Sequence, residues 1–467
     1  MGYLSEEALQ NLKKYAYKGV DKSILSKHLL NPFWTWFVTL WPLSVAPNTI
    51  TLSGLSIVIF NFITLLYYDP NYLTGKRRSA GSSMDIFYVG HWSLFVSKFR
   101  CYRWVRSAFN AILRPLTGKS MPSKQARRTG MAGPLGEMFD HGCDAMNTTL
   151  EAIIAAQALN LGRSWWTFAS QVATLANFYL TTWEEYHTGS LYLGVFSGPV
   201  EGILMIVGIY MITGLFGPSF WDTGILDFLH LSHVSLIADT IPNIGLNETF
   251  MVFGAFGLAF NIVSSYANVR TAMRASGKST TQPLLLLLPF VFSAGMQLAW
   301  LSHPQIDDTA PLVKLHSPSF ISSSSSSAGF TILQSPLFVP FLCAWGLQFA
   351  HQVGRMILAH VTQGPFPMWD SVWLLSIVGA LDANLPRLAG ISPIIQSTPH
   401  LTALFVYATL IVSFITYARF CTLVINDITN FLGIACFTVR KKDSEGRWRD
   451  VKDDAPAAKE AQAAKEK

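Results

Sequence analysis

The sequence predicts an all-α polytopic membrane protein with about eight to ten transmembrane helices and an N-terminal amphipathic helix. Of the 467 residues, 50% are hydrophobic and only 13% are charged, whereas soluble proteins are roughly 25% charged. The apolar residues fall into blocks that approach the ~20 residues needed by a membrane helix. Tryptophan and tyrosine gather near many block ends, where interfacial anchors are expected. These features disfavour a soluble multidomain protein.

The chain divides into three predicted parts. Residues 1–45 form an N-terminal amphipathic or interfacial segment, residues 46–436 a transmembrane domain, and residues 437–467 a charged cytosolic tail. A helix is expected over residues 5–30, because leucines and tyrosines alternate with lysines there. It would lie either in the headgroup layer or as a short cytosolic cap. The net charge of +6 is typical of loops that face anionic lipid, and nucleic-acid binding is not expected.

The predicted membrane segments are apolar runs with few charges. They cover residues 48–68, 145–161, 165–182, 203–216, 251–266, 284–301, 336–361, 373–381 and 401–424. Two intervening stretches, 217–249 and 302–329, are predicted loops, and the second contains a low-complexity serine run at 322–327.

Chemically informative residues cluster just before the second of these segments. Glu137, Asp140, His141 and Asp144 are spaced i, i+3, i+4, i+7, so they share one face of a helix. Unpaired acidic groups at a membrane edge are energetically unfavourable, and such residues usually have a function. A divalent cation such as Mg²⁺ or Mn²⁺ would relieve the repulsion. The alternative is a solvated acidic helix end with a chance histidine.

Three further residues point to a phosphorylated ligand. Gly136 lies one turn before Asp140, where the absence of a side chain lets a phosphate approach the helix closely. Arg127 and Arg128 precede the helix, and guanidinium groups can hold a pyrophosphate.

The same spacing resembles a family motif. The CDP-alcohol phosphatidyltransferase family has the pattern D-x2-D-G-x2-A-R-x8-G-x3-D-x3-D, and residues 126–144 match its second half without a gap. The amino-acid sequence of residues 124–144 is similar to that of the eukaryotic choline/ethanolamine phosphotransferase subgroup. Residues 46–54, 183–202 and 357–362 also resemble segments of that subgroup.

This resemblance implies a reaction and a set of partners. The expected enzyme transfers phosphocholine or phosphoethanolamine from CDP-choline or CDP-ethanolamine to diacylglycerol, releases CMP and depends on Mg²⁺ or Mn²⁺. It would be an integral protein of the endoplasmic reticulum or Golgi membrane, and the resemblance allows a homodimer. The choice between choline and ethanolamine stays open.

The resemblance also implies residue roles. Asp140 and Asp144 would bind metal, and His141 would be the base that accepts the proton of the lipid hydroxyl, with Asp144 as the alternative base. The expected contacts to the CDP-alcohol are Asn48, Arg127, Gly136 and Glu137. Glu184, Glu185 and His187 line the substrate entrance or, more commonly for such residues, form a network that stabilises a loop. His351 is expected to be a satisfied core residue.

The first half of the family pattern is missing. Its two aspartates fall on Lys119 and Pro122, and its glycine falls on Ser123. The region also lacks a full span, because the apolar stretch 86–96 would rise only about 17 Å as a helix, against roughly 30 Å of hydrocarbon. Residues 75–123 are therefore atypical, either as a foreign insert such as a retained intron or as divergence with loss of the metal site.

Two other classes of function compete with the enzyme. A catalytically inactive relative would still bind lipid or nucleotide. A polytopic transporter would typically show broken helices in paired halves, and the sequence shows no such repeat.

Overall fold

The computed structural model describes residues 2–15, 19–21, 28, 31–72, 120–193, 199–304 and 330–451. Most of the atypical stretch 75–123, including Lys119 and the short apolar run 86–96, lies outside the described residues. So do the serine run 322–327 and residues 452–467 of the tail.

The N-terminal segment contains only short elements. Helix α1 (Glu6–Leu12) begins at Ser5, whose hydroxyl accepts a hydrogen bond from the Ala8 N–H at 3.3 Å, a common helix N-cap. Strand β1 (Gly19–Asp21) and helix α2 (Asn31–Phe37) follow. The predicted helix over residues 5–30 is therefore wrong in extent. Residues 19–21 are instead extended, because they pair in parallel with a strand at residues 191–193.

The rest of the described chain is mainly helical. In chain order the helices are α3 (Pro47–Tyr68), α4 (Ser120–Thr129), α5 (Pro134–Ala158), α6 (Trp165–Thr188), α7 (Pro199–Phe216), α8 (Ile225–Phe228), α9 (Ser235–Ala238), α10 (Leu246–Ala275), α11 (Gln282–Leu285), α12 (Leu288–Leu301), α13 (Phe338–Val361), α14 (Leu374–Ala383), α15 (Leu385–Ala389) and α16 (Pro399–Leu432). The remaining strands are β2 (Leu191–Leu193), β3 (Arg440–Lys442) and β4 (Trp448–Asp450).

Each predicted membrane segment coincides with a helix, and the chain is an all-α polytopic membrane protein. Among the described residues, four stretches are both long enough and apolar enough to cross a bilayer: Pro47–Tyr68, Leu246–Ala275, Gln282–Leu301 and Pro399–Leu432. Helices α5, α6 and α13 carry polar side chains that are buried inside the protein. Their polarity is tolerated because these side chains face other helices rather than lipid.

Helices α3 and α5 run parallel to each other. Thr51 lies 3.5 Å from Asp140 at one end of the pair, and Gln157 donates to Asp69 at 2.6 Å at the other. Tyr72 and Ser120, which bound the undescribed stretch, belong to opposite ends.

The two ends of the helix bundle differ in charge. We call the end where α5 begins the motif end. Its basic residues among those described include Lys13, Lys14, Lys124, Arg127, Arg128, Arg274, Lys278, Lys441 and Lys442. The opposite end carries Arg163 and Arg387 together with acidic Asp222, Asp227 and Asp239. An excess of lysine and arginine is typical of the cytosolic side of a membrane protein, so we expect the motif end to face the cytosol.

Polar and small residues hold the core helices together. The Gln348 amide on α13 donates to Ser376 Oγ at 2.8 Å and to Ser413 Oγ at 3.2 Å, and its oxygen accepts from Gln297 Nε2 at 3.1 Å. This network joins α12, α13, α14 and α16, as interhelical hydrogen bonds do in membranes. At Gly346, an added Cβ would lie 2.4 Å from Thr149 of α5, so only glycine permits this close approach.

The predicted charged tail begins with a docked hairpin. Strands β3 and β4 pair in antiparallel fashion, and Lys441 Nζ donates to the Gly130 carbonyl at 2.7 Å. Thr438 forms an isolated bridge with Val45, just before α3. Residues 438–451 thus contact the motif end, while the residues of both strands remain exposed.

Candidate active site

The first turns of α5 carry the motif residues. Pro134 begins the helix after Gly133, and proline favours a helix start because its fixed backbone already suits the first position. Glu137, Asp140 and His141 are buried, with exposed fractions of 8%, 8% and 3%, and Asp144 is half-buried. The three buried residues face inward together, as their spacing predicts.

One compact group combines these residues with a second helix. Glu137, His141 and Glu185 each offer one ligand atom, and these atoms lie within 4.8 Å of one another. Glu185 belongs to the last turn of α6 and is buried. Two carboxylates and an imidazole at this distance can share a proton or hold a divalent cation.

Tyr15 of the N-terminal segment completes the group. Its hydroxyl donates a hydrogen bond to Glu137 Oε2. The other oxygen, Glu137 Oε1, is buried and accepts no hydrogen bond from the described residues. A buried carboxylate oxygen without a donor is unfavourable, so this side chain fits a role in binding a cation or a polar ligand.

Asp140 and Asp144 point to the same region from successive turns. Asp140 Oδ1 lies 3.5 Å from the Thr51 hydroxyl of α3, which is at the outer limit of a hydrogen bond. Carboxylate oxygens suit hard cations such as Mg²⁺, so the donor set fits a divalent ion.

The expected ligand contacts differ in their surroundings. Beside Gly136, no atom lies within 4 Å of where a Cβ would stand, so the space that a phosphate would use is open. Arg127 is exposed on α4, so its guanidinium group is accessible to a ligand. Partial burial, followed by the charge of Arg127, lowers the pKa of the nearby Lys124 ammonium.

Two of the polar residues have structural partners. Asn48 is buried, and its amide donates to the Cys436 carbonyl at 3.2 Å, which ties the start of α3 to the end of α16. Arg128 donates to the Val38 carbonyl and to Gln125 Oε1. Arg128 therefore holds α4 against residues 38–41, whereas its expected contact with a pyrophosphate stays a prediction.

Known proteins are similar over nearly the whole chain. A Schizosaccharomyces pombe protein, named as an uncharacterised CDP-alcohol phosphatidyltransferase class-I family protein, is 32% identical over 443 residues, 94% of this chain and 98% of its own. The chain belongs to that family. Cholinephosphotransferase 1 of Saccharomyces cerevisiae is 33% identical over 380 residues, covering 80% and 83%. Choline/ethanolaminephosphotransferase 1 of Arabidopsis thaliana is 30% identical over 455 residues, covering 95% and 100%. No family model matches the chain.

Membership of this family confirms the resemblance seen in residues 126–144. The missing first half of the pattern is therefore a departure within the chain's own family. On α4, the buried Pro122 stands where the family pattern has its second aspartate, and the exposed Ser123 stands where it has glycine. Of the four aspartates in the family pattern, the chain supplies two, Asp140 and Asp144. The donor set is therefore sufficient for a divalent ion only if further oxygens come from neighbours such as Glu137 and Glu185, or from the ligand.

Sequence reasoning does not identify Tyr15 as a residue of the site. For Glu184 and Glu185 it leaves two alternatives, the substrate entrance and a network that stabilises a loop. Glu184 does accept a hydrogen bond from Asn268 Nδ2 at 2.7 Å, which agrees with a stabilising role. Glu185 differs because its position, about 100° further around α6, places it against α5. The contact of Tyr15 with Glu137 depends on the path of the chain after α1, which the sequence pattern does not predict.

The prediction for His351 is confirmed. Its Nδ1 lies 2.7 Å from Asp370 Oδ2, and both side chains are buried. Arg355 also approaches Asp370, at 3.6 Å. This group stabilises the link between α13 and the segment after it.

Proposed function

We propose that the chain transfers phosphocholine or phosphoethanolamine from a CDP-alcohol to diacylglycerol, producing the phospholipid and CMP. The relatives named cholinephosphotransferase and choline/ethanolaminephosphotransferase support this reaction class. The observation that carries it is the close grouping of His141 with Glu137 and Glu185, whose ligand atoms lie within 4.8 Å of one another near the start of α5. A water-soluble nucleotide and a membrane lipid can meet only at a membrane boundary.

The CDP-alcohol would bind from the cytosol. Its pyrophosphate fits the open space beside Gly136, with Arg127 supplying positive charge. Glu137 and Asn48 are proposed to contact the nucleotide side of the ligand. For Asn48 this requires that the amide keep its bond to the Cys436 carbonyl and use its remaining groups.

Diacylglycerol would reach the same residues from the bilayer, along α5. Its hydroxyl oxygen attacks the phosphorus that carries the choline or ethanolamine, the phosphoanhydride bond breaks, and CMP leaves. His141 is the proposed acceptor of the hydroxyl proton, because a lipid alcohol must lose its proton as it attacks. Glu185 and Glu137 orient the imidazole and stabilise its protonated form, as a carboxylate does in other proton-transfer sites. Asp144 is the alternative base.

Asp140 and Asp144 are the proposed ligands of Mg²⁺, with Mn²⁺ as a substitute. When bound, the cation supplies charge neutralisation to the pyrophosphate and to the leaving CMP. We place the protein in the endoplasmic reticulum or Golgi membrane, where its substrate diacylglycerol and its product would be used.

A catalytically inactive relative is the second candidate, favoured by Pro122 and Ser123 in the positions of the family's first motif half. Such a protein would bind the nucleotide or lipid without turnover. Residues 75–123 would then represent real divergence, whereas an insert such as a retained intron predicts an active protein from another transcript. Sequencing transcripts across this stretch separates these explanations.

One assay separates the enzyme from the inactive relative. Membranes that contain this chain, in cells lacking their own activity, receive labelled CDP-choline or CDP-ethanolamine with diacylglycerol and Mg²⁺. Labelled phospholipid that disappears in the His141→Ala variant supports the proposal. Binding of the labelled nucleotide without any lipid product would favour the inactive relative.

A further inference from the structure

A cavity lies at the motif end, beside the group formed by Glu137, His141 and Glu185 and separate from it. Its volume is about 870 Å³, and its walls come from the ends of α6, α10 and α13, the start of α11 and the residues after α1. No described motif residue lines it. Tyr15 forms the partition, since it lines the cavity and its hydroxyl donates to Glu137.

The positive charge lining this cavity comes from Lys14 and Lys278, which stand at its mouth. The imidazoles of His187 and His360 lie deeper and are partly buried, and no carboxylate is among the lining residues. His187 Nε2 is buried and shares no hydrogen bond with a described residue. Hydroxyl and amide groups of Thr188, Ser279 and Gln282 add neutral hydrogen-bonding capacity. Such a lining suits a phosphate ester, whose oxygens accept several hydrogen bonds.

The position of the cavity favours a lipid as the source of that phosphate. Leu286 and Pro283 belong to its wall, and the adjacent Leu284 and Leu285 of α11 are exposed on the bundle surface. α11 leads directly into the apolar helix α12. Exposed leucines beside a basic pocket on the cytosolic side allow acyl chains to remain in the bilayer while a headgroup enters.

We propose that this cavity binds a phosphate ester, namely the headgroup of an anionic phospholipid in the cytosolic leaflet. It is distinct from the site of transfer and does not depend on the proposed function. The contact through Tyr15 gives it a physical link to Glu137, so an occupied cavity would restrict the N-terminal segment that reaches the acidic group.

The test uses the purified full-length protein in detergent and measures binding by native mass spectrometry. The probes are short-chain phosphatidic acid, short-chain phosphatidylcholine, glycerol 3-phosphate and inorganic phosphate. The Lys14→Gln/Lys278→Gln variant should bind phosphatidic acid about tenfold to thirtyfold more weakly, given the usual contribution of a basic residue near an anionic headgroup. The His187→Gln variant, which leaves the surface charge unchanged, should also bind it more weakly.

A matched control removes the same charge elsewhere on the cytosolic side. Lys441→Gln/Lys442→Gln lies on the hairpin and should leave phosphatidic acid binding unchanged. Equal weakening in both double variants, or none in either, would overturn the proposal, because attraction would then be non-specific. Tighter binding of phosphatidic acid than of glycerol 3-phosphate identifies a lipid source, and equal binding of the two identifies soluble phosphate esters as the ligand.

Discussion

Replacing Tyr15 by Phe tests whether the N-terminal segment belongs to the active site. The change removes the hydroxyl that donates to Glu137 Oε2. The other carboxylate oxygen already lacks a donor from the described residues, so the variant would leave Glu137 without either bond. A hydrogen bond within a protein contributes about 0.5–1.5 kcal/mol, which corresponds to roughly a 2-fold to 12-fold change.

We expect this loss in kcat/KM, mainly through a higher KM for the CDP-alcohol, because Glu137 is proposed to contact that substrate. Initial rates in membranes, with the CDP-alcohol varied at fixed diacylglycerol, measure it. Tyr186→Phe is the matched control: its hydroxyl donates to the Gly364 carbonyl at 3.1 Å in the neighbouring cavity. Similar rates for Tyr15→Phe and the unmodified chain would refute the role of Tyr15, and equal losses in both variants would indicate a general structural effect.

Three further predictions concern the base, the metal and the packing. His141→Ala should lower kcat by about 10²–10⁴-fold without changing the amount of protein in the membrane; full activity would transfer the role of base to Asp144. Removing divalent ions with a chelator should abolish product formation, and Mg²⁺ or Mn²⁺ should restore it, whereas activity that persists would contradict the cation site at Asp140. Gly346→Ala should lower the free energy of unfolding by about 1–3 kcal/mol, because its Cβ would lie 2.4 Å from Thr149. Thermal unfolding in detergent measures this, and Gly254→Ala, with no atom within 4 Å of its Cβ, should have no such effect.

The membrane helices could be predicted from the sequence because their signal is local. Long apolar runs identify helices such as α3 and α16, and the spacing of Glu137, Asp140 and His141 places them on one buried face. These inferences need only the period of a helix and the length of a span. The structure agrees with both.

The remaining features depend on contacts between distant parts of the chain. Residues 19–21 have a helix-like neighbourhood in the sequence, but pairing with residues 191–193 keeps them extended. Glu185 joins His141 only because α6 ends where α5 begins. Arg128 has the same charge as Arg127, and only the carbonyl of Val38 shows that it is engaged within the protein. Local patterns contain no information about such partners.

The motif end is closed by the two extremities of the chain. The Leu4 N–H donates to Asp427, 423 residues away, and the Asn48 amide donates to the Cys436 carbonyl, 388 residues away. During synthesis these donors emerge first and their acceptors last, so their bonds cannot form until α16 has entered the membrane. Closing such long loops is slow, and the nascent protein would keep its motif end open until translation is nearly finished. A product truncated before Asp427 and Cys436 would therefore lack the groups that hold the N-terminal segment and the start of α3 at the motif end.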